Sequence, residues 1–119
     1  MPHVPGFSAA LLLKEYGDHG LVRELAQLLI DTTPDQLEAI RTAVRTGDAA
    51  MLRTAAHRLR GSLVAFGVPD AVETARTLEA MGESGEMAGA EVLALALADD
   101  VQSLRESAKA WLETGSATA

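Results

Sequence analysis

The sequence contains no cysteine, which excludes disulfide bonds, thiolate metal sites and a cysteine nucleophile, and fits a reducing compartment. Aromatic residues make up only 3% of the chain, whereas hydrophobic residues make up 48%. A core built mainly from alanine and leucine suits packed helices better than a sheet, in which β-branched and aromatic residues are enriched. The composition therefore predicts an all-α protein, and 119 residues predict a single domain over residues 1–119.

Long apolar runs and an excess of basic residues are also missing. No apolar stretch approaches the length of a membrane span, and the first residues lack the basic start and apolar run of a secretory signal. A formal net charge of -7 argues against nonspecific binding of nucleic acid and docking on an anionic membrane. We therefore expect a cytoplasmic protein that binds neither. The chain is also too short to hold a nucleotide-binding domain beside a substrate domain, so an ATP-dependent enzyme is not expected.

Capping residues and helical spacing divide the chain into one short helix and four long ones. Residues 1–6 are expected to be a flexible lead-in, and residues 115–119 a flexible tail. Ser8 caps a predicted short helix over 9–14 that Gly17 ends. The long segments are predicted at 18–47, at 49–66, from 69 to a stop at Gly82, and finally along a seam that includes Leu97, Val101 and Leu104 and ends at Gly115.

Pro34 interrupts the first long segment, and two structures are compatible with it. Thr33 caps a new helix with Gln36 closing a capping box, or one helix continues through Pro34 with a kink. The apolar stripe keeps its phase on both sides, at Ile30, Leu37 and Val44. We therefore predict one kinked helix, and an antiparallel up-and-down four-helix bundle in which the short N-terminal helix covers one end.

The segment from 55 to 63 carries a histidine in a basic setting. At about 100° per residue, Leu52, Ala56, Leu59, Leu63 and Phe66 share one face, which should be buried, and His57 falls about 140° from Leu52. His57 should therefore face solvent. The same projection places four residues within about 60° of it, namely Arg53, Arg60, Gly61 and Val64.

Each member of this exposed group has a chemical interpretation. A neutral imidazole is a nucleophile that can accept a phosphoryl group on one ring nitrogen. Arg60, and as a second candidate Arg53, would offer fork-shaped contacts to phosphate oxygens. Gly61 costs about 1 kcal/mol of helix propensity relative to alanine, so it suggests clearance for a partner. From these residues alone, an ordinary solvated surface is the favoured interpretation of a histidine beside arginines, and Arg58, which projects well away from His57, is expected to be ordinary surface charge.

Residues 56–62, Ala-His-Arg-Leu-Arg-Gly-Ser, together with Phe66-Gly67-Val68 and Leu78-Glu79, resemble the histidine-containing phosphotransfer (HPt) domains of His-Asp phosphorelays. The pattern of that family is Ala-His-x-Leu-Lys-Gly-Ser, a Leu-Gly step and a closing Leu-Glu. Upstream features also match, at Gly17-Asp18, Leu21, Glu24-Leu25, Pro34, Leu37 and Gly47-Asp48. The resemblance covers roughly residues 10 to 112. Two departures are Arg60 in place of the usual lysine and Phe66 in place of leucine.

The resemblance implies a four-helix phosphocarrier without an ATP site, in which His57 is the phosphoacceptor. Arg60 would stabilise the phosphate, Gly61 would give a receiver domain clearance, and Val64 and Arg58 would contact partners. The implied partners are receiver domains and a hybrid sensor histidine kinase. No cofactor is expected, because the receiver would bind the Mg²⁺. We expect a monomer, since the amphipathic stripes are used within the bundle.

Three other interpretations of the exposed histidine compete with this one. A kinase dimerisation helix pair usually carries an acidic residue directly after its histidine, whereas Arg58 follows here. A helical adaptor that only docks signalling proteins remains the alternative function. A metal site built from His3, His19 and His57 has little support, because no two of them share a helix-turn spacing.

Overall fold

A computed structural model of the protein describes residues 7–114, which contain helices and no strand. The α-helices within this range are α1 (Ala9–Tyr16), α2 (His19–Thr46), α3 (Ala49–Leu63), α4 (Pro69–Ser84) and α5 (Ala90–Thr114). A short 3₁₀ helix, Val64–Phe66, follows α3. The prediction of an all-α protein is confirmed. The expected lead-in at 1–6, the tail at 115–119 and the helix stop at Gly115 lie outside the described residues.

Side-chain caps set the starts of the first three helices. Ser8, Asp18 and Asp48 each take an extended backbone conformation and accept a hydrogen bond from the backbone N–H three residues later. Pro69 is the first residue of α4. The N–H at this position has no acceptor within the helix, so proline, which lacks an N–H, costs no hydrogen bond there. The helices therefore begin where the capping signals predict.

The four long helices pack around one core. α2 and α4 each lie against both α3 and α5, whereas α1 contacts α2. The α3–α4 pair therefore forms one side of the bundle, and the α2–α5 pair forms the opposite side. The predicted buried face of α3 is confirmed, since its predicted members are all at most 4% exposed, namely Leu52, Ala56, Leu59, Leu63 and Phe66.

Two predicted helix ends are wrong. α3 was expected to reach Phe66, but its regular turns end at Leu63 and the chain tightens into the 3₁₀ helix before Gly67. α4 was expected to stop at Gly82, but it continues to Ser84, and Gly85 takes the left-handed conformation that ends it. Gly82 is instead a packing position, because a Cβ there would lie 2.4 Å from the Arg53 backbone nitrogen on α3.

Helix α2 continues through Pro34 as one element, which confirms the single-helix prediction. The alternative with a capping box is wrong. Gln36 lies inside the helix, and its Nε2 donates to the Ser62 hydroxyl on α3 at 3.0 Å. Ser62 in turn donates to the Arg58 carbonyl at 3.3 Å. This pair of contacts ties the middle of α2 to the end of α3, close to His57.

Candidate functional site

His57 lies on the exposed side of α3, at the junction with α4. Its side chain is 64% exposed, whereas its neighbours Ala56 and Leu59 are fully buried. The helical projection therefore predicted its direction correctly. The imidazole is open to solvent on a helix whose opposite face anchors it in the core.

A carboxylate from α4 and a guanidinium from α3 hold the imidazole. Glu79 Oε2 lies 2.9 Å from His57 Nδ1, and Arg60 Nε donates to Glu79 Oε1 at 2.8 Å. Arg60 Nη2 lies 3.1 Å from His57 Nδ1. The three side chains form a closed triangle across the two helices, with Glu79 and Arg60 only 19% and 26% exposed.

The triangle selects one tautomer of the imidazole. His57 Nδ1 faces both an acceptor, the Glu79 carboxylate, and a donor, Arg60 Nη2, and it can hydrogen bond to only one of them. The nearer partner is the carboxylate, which can only accept a hydrogen bond when it is ionised and so has no proton to donate. We therefore assign the proton to Nδ1, which donates to Glu79 and leaves the lone pair on Nε2. Arg60 Nη2 then contributes charge rather than a hydrogen bond to the ring.

Arg60 keeps Glu79 ionised. The hydrogen bond from its guanidinium is the largest cause that holds the pKa of Glu79 below its ordinary value. Burial acts in the opposite direction, and the hydrogen bond from His57 adds a further lowering. The carboxylate is thus a fixed negative charge beside Nδ1 across the physiological range.

Glu79 is the member of this triangle to which the sequence alone assigns no role. The Leu78-Glu79 pair was part of the pattern used for the family resemblance, but no function followed from it. Its position on α4 next to the buried Leu78 was a signal that it borders the α3 contact. Pairing it with His57 requires the relative rotation of two helices, and helical periodicity describes each helix separately.

The other predicted site residues fall into two groups. Gly61 and Val64 lie one and two turns beyond His57, with no atom within 4 Å of a Cβ built on Gly61 and with Val64 61% exposed. Arg58 instead lines a different groove, of about 490 Å³, between the first part of α3 and the part of α2 that contains Asp35. Arg53 makes no hydrogen bond or ion pair with the triangle. The structure thus groups Gly61 and Val64, but not Arg58, on the side of His57.

A second groove adjoins Gly61 and is mainly apolar. Its volume is about 220 Å³, and Leu28, which borders it on α2, is 59% exposed. The residues that line it come from α2, from the end of α3 and from the 3₁₀ helix that follows, namely Leu25, Leu28, Leu29, Thr32, Gln36, Gly61, Ser62, Ala65 and Phe66. We call this the α2–α3 groove. Exposed apolar side chains around a clear backbone position are typical of a protein-docking surface.

Two kinds of feature are absent from residues 7–114, a metal-binding cluster and a membrane-length apolar helix. No group of three or more His, Cys, Asp and Glu side chains is arranged to hold a metal ion in this range. His3, one of the three histidines considered as metal ligands, lies outside the described residues. Within the same range no helix is both long enough and apolar enough to cross a membrane.

Comparisons with known proteins agree with the geometry. A family model described as Hpt domain matches residues 24–107, which is more than half of the chain. Among solved structures, histidine-containing phosphotransfer protein B from Pseudomonas aeruginosa PAO1 superposes with a TM-score of 0.82. The two sequences are 19% identical, and the match covers 94% of this chain and 98% of that one, which shows a shared fold. No curated protein sequence matches the chain.

Proposed function

Because the chain belongs to the Hpt domain family, it acts in histidine phosphotransfer within phosphorelay signalling, and we propose that His57 carries the phosphoryl group. One observation supports this assignment above the others. His57 has its Nδ1 engaged by Glu79 on a side chain that is 64% exposed, so Nε2 is the ring nitrogen left for reaction. Members of this family are phosphocarriers that interact with receiver domains and kinases.

The proposed reaction is a transfer between Nε2 and an aspartyl phosphate of a receiver domain. The Nε2 lone pair attacks phosphorus, the bond between phosphorus and the aspartyl oxygen breaks, and the aspartate leaves as a carboxylate. The ring gains positive charge, which the Glu79 carboxylate offsets through the Nδ1 hydrogen bond. In the onward step a carboxylate oxygen of the next receiver's aspartate attacks phosphorus, the bond between phosphorus and Nε2 breaks, and its electron pair returns to the ring. No proton has to leave Nδ1 in either direction.

Arg60 is proposed to stabilise the transferred phosphoryl group after a change of partner. Arg60 Nη2 lies beside Nδ1, whereas a phosphoryl group on Nε2 would lie on the opposite side of the ring. The guanidinium therefore has to swing outward to contact phosphate oxygens. We interpret its pairing with Glu79 as the arrangement of the unphosphorylated state. Arginine, which stands here in place of the usual lysine of the family, has several donors in a fixed fork and so contacts Glu79 and reaches His57 at the same time.

Docking of a receiver domain is proposed at Gly61, Val64 and the α2–α3 groove. Gly61 leaves room for a close approach beside His57, and Val64 and Leu28 offer exposed apolar surface. The receiver would supply Mg²⁺ and most catalytic groups, since phosphoryl transfer depends mainly on positioning and charge stabilisation. The proposed partners are receiver domains and a hybrid sensor histidine kinase, met by a monomeric carrier. Arg58 would contact the partner only at the edge of this surface.

The test is transfer of labelled phosphoryl from a phosphorylated receiver domain to the protein and to His57→Gln. The wild-type protein should acquire an acid-labile label, and the variant none. His19→Gln is a matched control, because His19 is also exposed but lies at the start of α2, with its ring 5.3 Å from that of Trp111. Acid-labile label retained by His57→Gln would refute the assignment, and loss of label in His19→Gln would show that the assay reports folding.

A further inference from the structure

Pro34 leaves a backbone acceptor without its helical partner. In an α-helix the N–H of each residue bonds to the carbonyl four residues earlier, and proline has no N–H. The carbonyl of Ile30 therefore has no donor within α2. Ile30 is 9% exposed and packs in the core, so water does not readily replace the missing donor.

Arg105 on α5 supplies that donor from across the bundle. Its Nε and Nη2 both donate to the Ile30 carbonyl, at 3.3 and 3.2 Å. Its remaining amino group, Nη1, donates to Gln102 Oε1 at 2.9 Å, which fixes the guanidinium plane. Hydrogen bonds from a charged donor are stronger than neutral ones, and two of them define a direction as well as a distance. We call this contact the Pro34 clasp.

The clasp lies opposite one wall of the α2–α3 groove. Leu25, Leu28, Leu29 and Thr32, on the turns around Ile30, line that groove. Beyond Pro34, Gln36 is tied separately to Ser62. The part of α2 before Pro34 therefore needs its own anchor to keep a fixed distance from Gly61. Buried side chains of α2 pack this part against the core, and since a proline weakens the helix at this point, the contact with α5 supplies the directional anchor.

We propose that Arg105 is a positioning residue for receiver docking: through the Ile30 carbonyl it sets the position of the α2 wall of the groove beside His57. This inference rests on the proposed function. Arg105 takes no part in the chemistry on the imidazole, because α5 lies on the side of the bundle opposite to the α3–α4 junction. It acts on recognition of the partner alone.

The test separates recognition from chemistry with two phosphodonors. Arg105→Met keeps the apolar stem and removes every donor. With phosphoramidate, a donor too small to use the groove, its rate of His57 labelling should equal that of the wild type. With a phosphorylated receiver domain, the concentration for half-maximal transfer should rise about threefold to tenfold, with an unchanged maximal rate. Arg41→Met, which removes an exposed arginine of α2, should change neither.

Rescue by Pro34→Ala makes the mechanism specific. Alanine restores an N–H at position 34, so the Ile30 carbonyl regains a helical donor and no longer needs Arg105. In the Pro34→Ala background, Arg105→Met should therefore have little effect on the half-maximal concentration. Should Arg105→Met melt below the assay temperature, Arg105→Lys, which keeps one charged donor, should show the same shift in smaller size.

Three results would overturn the inference. One is a half-maximal concentration in Arg105→Met, or in Arg105→Lys, equal to that of the wild type. Another is an equal shift with and without Pro34→Ala. A third is slower labelling by phosphoramidate, which would show damage to the His57 site itself. Failure of the proposed function gives a different signature, since the wild-type protein would then take no label on His57 from either donor.

Discussion

Gly61 and Gly82 both lie inside helices of the α3–α4 pair, and substitution by alanine should change the stability of the protein in opposite directions. A Cβ on Gly82 would lie 2.4 Å from the Arg53 backbone nitrogen and 2.7 Å from the Ala49 carbonyl oxygen. Both atoms belong to the backbone of α3 and cannot rotate away. To reach ordinary contact distance, α3 and α4 must move apart by about 1 Å at their crossing.

The magnitude for Gly82→Ala follows from two opposing effects. Overpacking of a fitted contact costs about 1 to 3 kcal/mol, and two close contacts with backbone atoms place Gly82→Ala in the upper half of that range, at about 2 to 3 kcal/mol. Alanine gains about 1 kcal/mol of helix propensity over glycine. A net loss of about 1 to 2 kcal/mol is expected. At about 2.1 cal/mol/K of unfolding entropy per residue, a chain of 119 residues loses about 4 °C in Tm per kcal/mol. Gly82→Ala should therefore lower Tm by about 4 to 8 °C.

Gly61→Ala has the propensity gain without the clash, since nothing lies within 4 Å of its Cβ position. Its Tm should rise by about 4 °C. The added methyl group would nevertheless stand where a receiver domain is proposed to approach, so transfer from a phosphorylated receiver should slow while labelling by phosphoramidate continues. Glycine at position 61 would then make the protein less stable than alanine would, while it leaves room for the receiver domain to dock.

Thermal unfolding followed by circular dichroism at 222 nm measures both variants in one experiment, and the two glycines serve as controls for each other. Equal Tm values for Gly82→Ala and the wild type would refute the close crossing of α3 and α4. A lower Tm for Gly61→Ala would show that its surroundings are not open. Either result would also weaken the placement of Glu79, which lies one turn before Gly82 on α4.

Two further substitutions test the polar contacts of α3. The pKa of Glu79 is lower in the folded state than its ordinary value of 4.5. The ionised carboxylate therefore stabilises the protein at pH values above 4.5, and this stabilisation is lost as the pH falls through the lower pKa of the folded state. The Tm difference between the wild type and Glu79→Gln should therefore shrink from pH 7 to pH 3, and a constant difference would contradict the ion pair with Arg60. Ser62→Ala removes the acceptor of Gln36, whose Oε1 already has no partner. Ser62→Ala should lower the free energy of unfolding, measured with denaturant, by about 1 to 2 kcal/mol. Adding Gln36→Leu to this variant should recover most of the loss. A double variant as unstable as Ser62→Ala would disprove the explanation.

Periodicity and capping were sufficient to predict the helices and their buried faces. Leu59 and Leu63 are buried and His57 is exposed because a single helix has only one way to turn its apolar stripe toward a core. The same reasoning failed at Gly82, where a glycine that looked like a helix stop is needed for a close helix crossing. It also missed Glu79, because the partner of His57 depends on how two helices are rotated against each other. Relations between helices are properties of packing, and a single sequence shows them only indirectly.

The contact between Phe7 and α5 has a topological consequence. The backbone N–H of Phe7 donates to the Ser107 hydroxyl at 3.0 Å, and its ring lies 5.2 Å from that of Trp111. The two ends of the described chain therefore meet, and the path from residue 7 to residue 114 is nearly a closed loop. Joining the chain ends into a continuous ring would restrict the unfolded chain far more than the folded one, with a gain of about 4 to 5 kcal/mol in the chain-entropy model. The exposed imidazole on the α3–α4 side would keep its surroundings in such a circular protein.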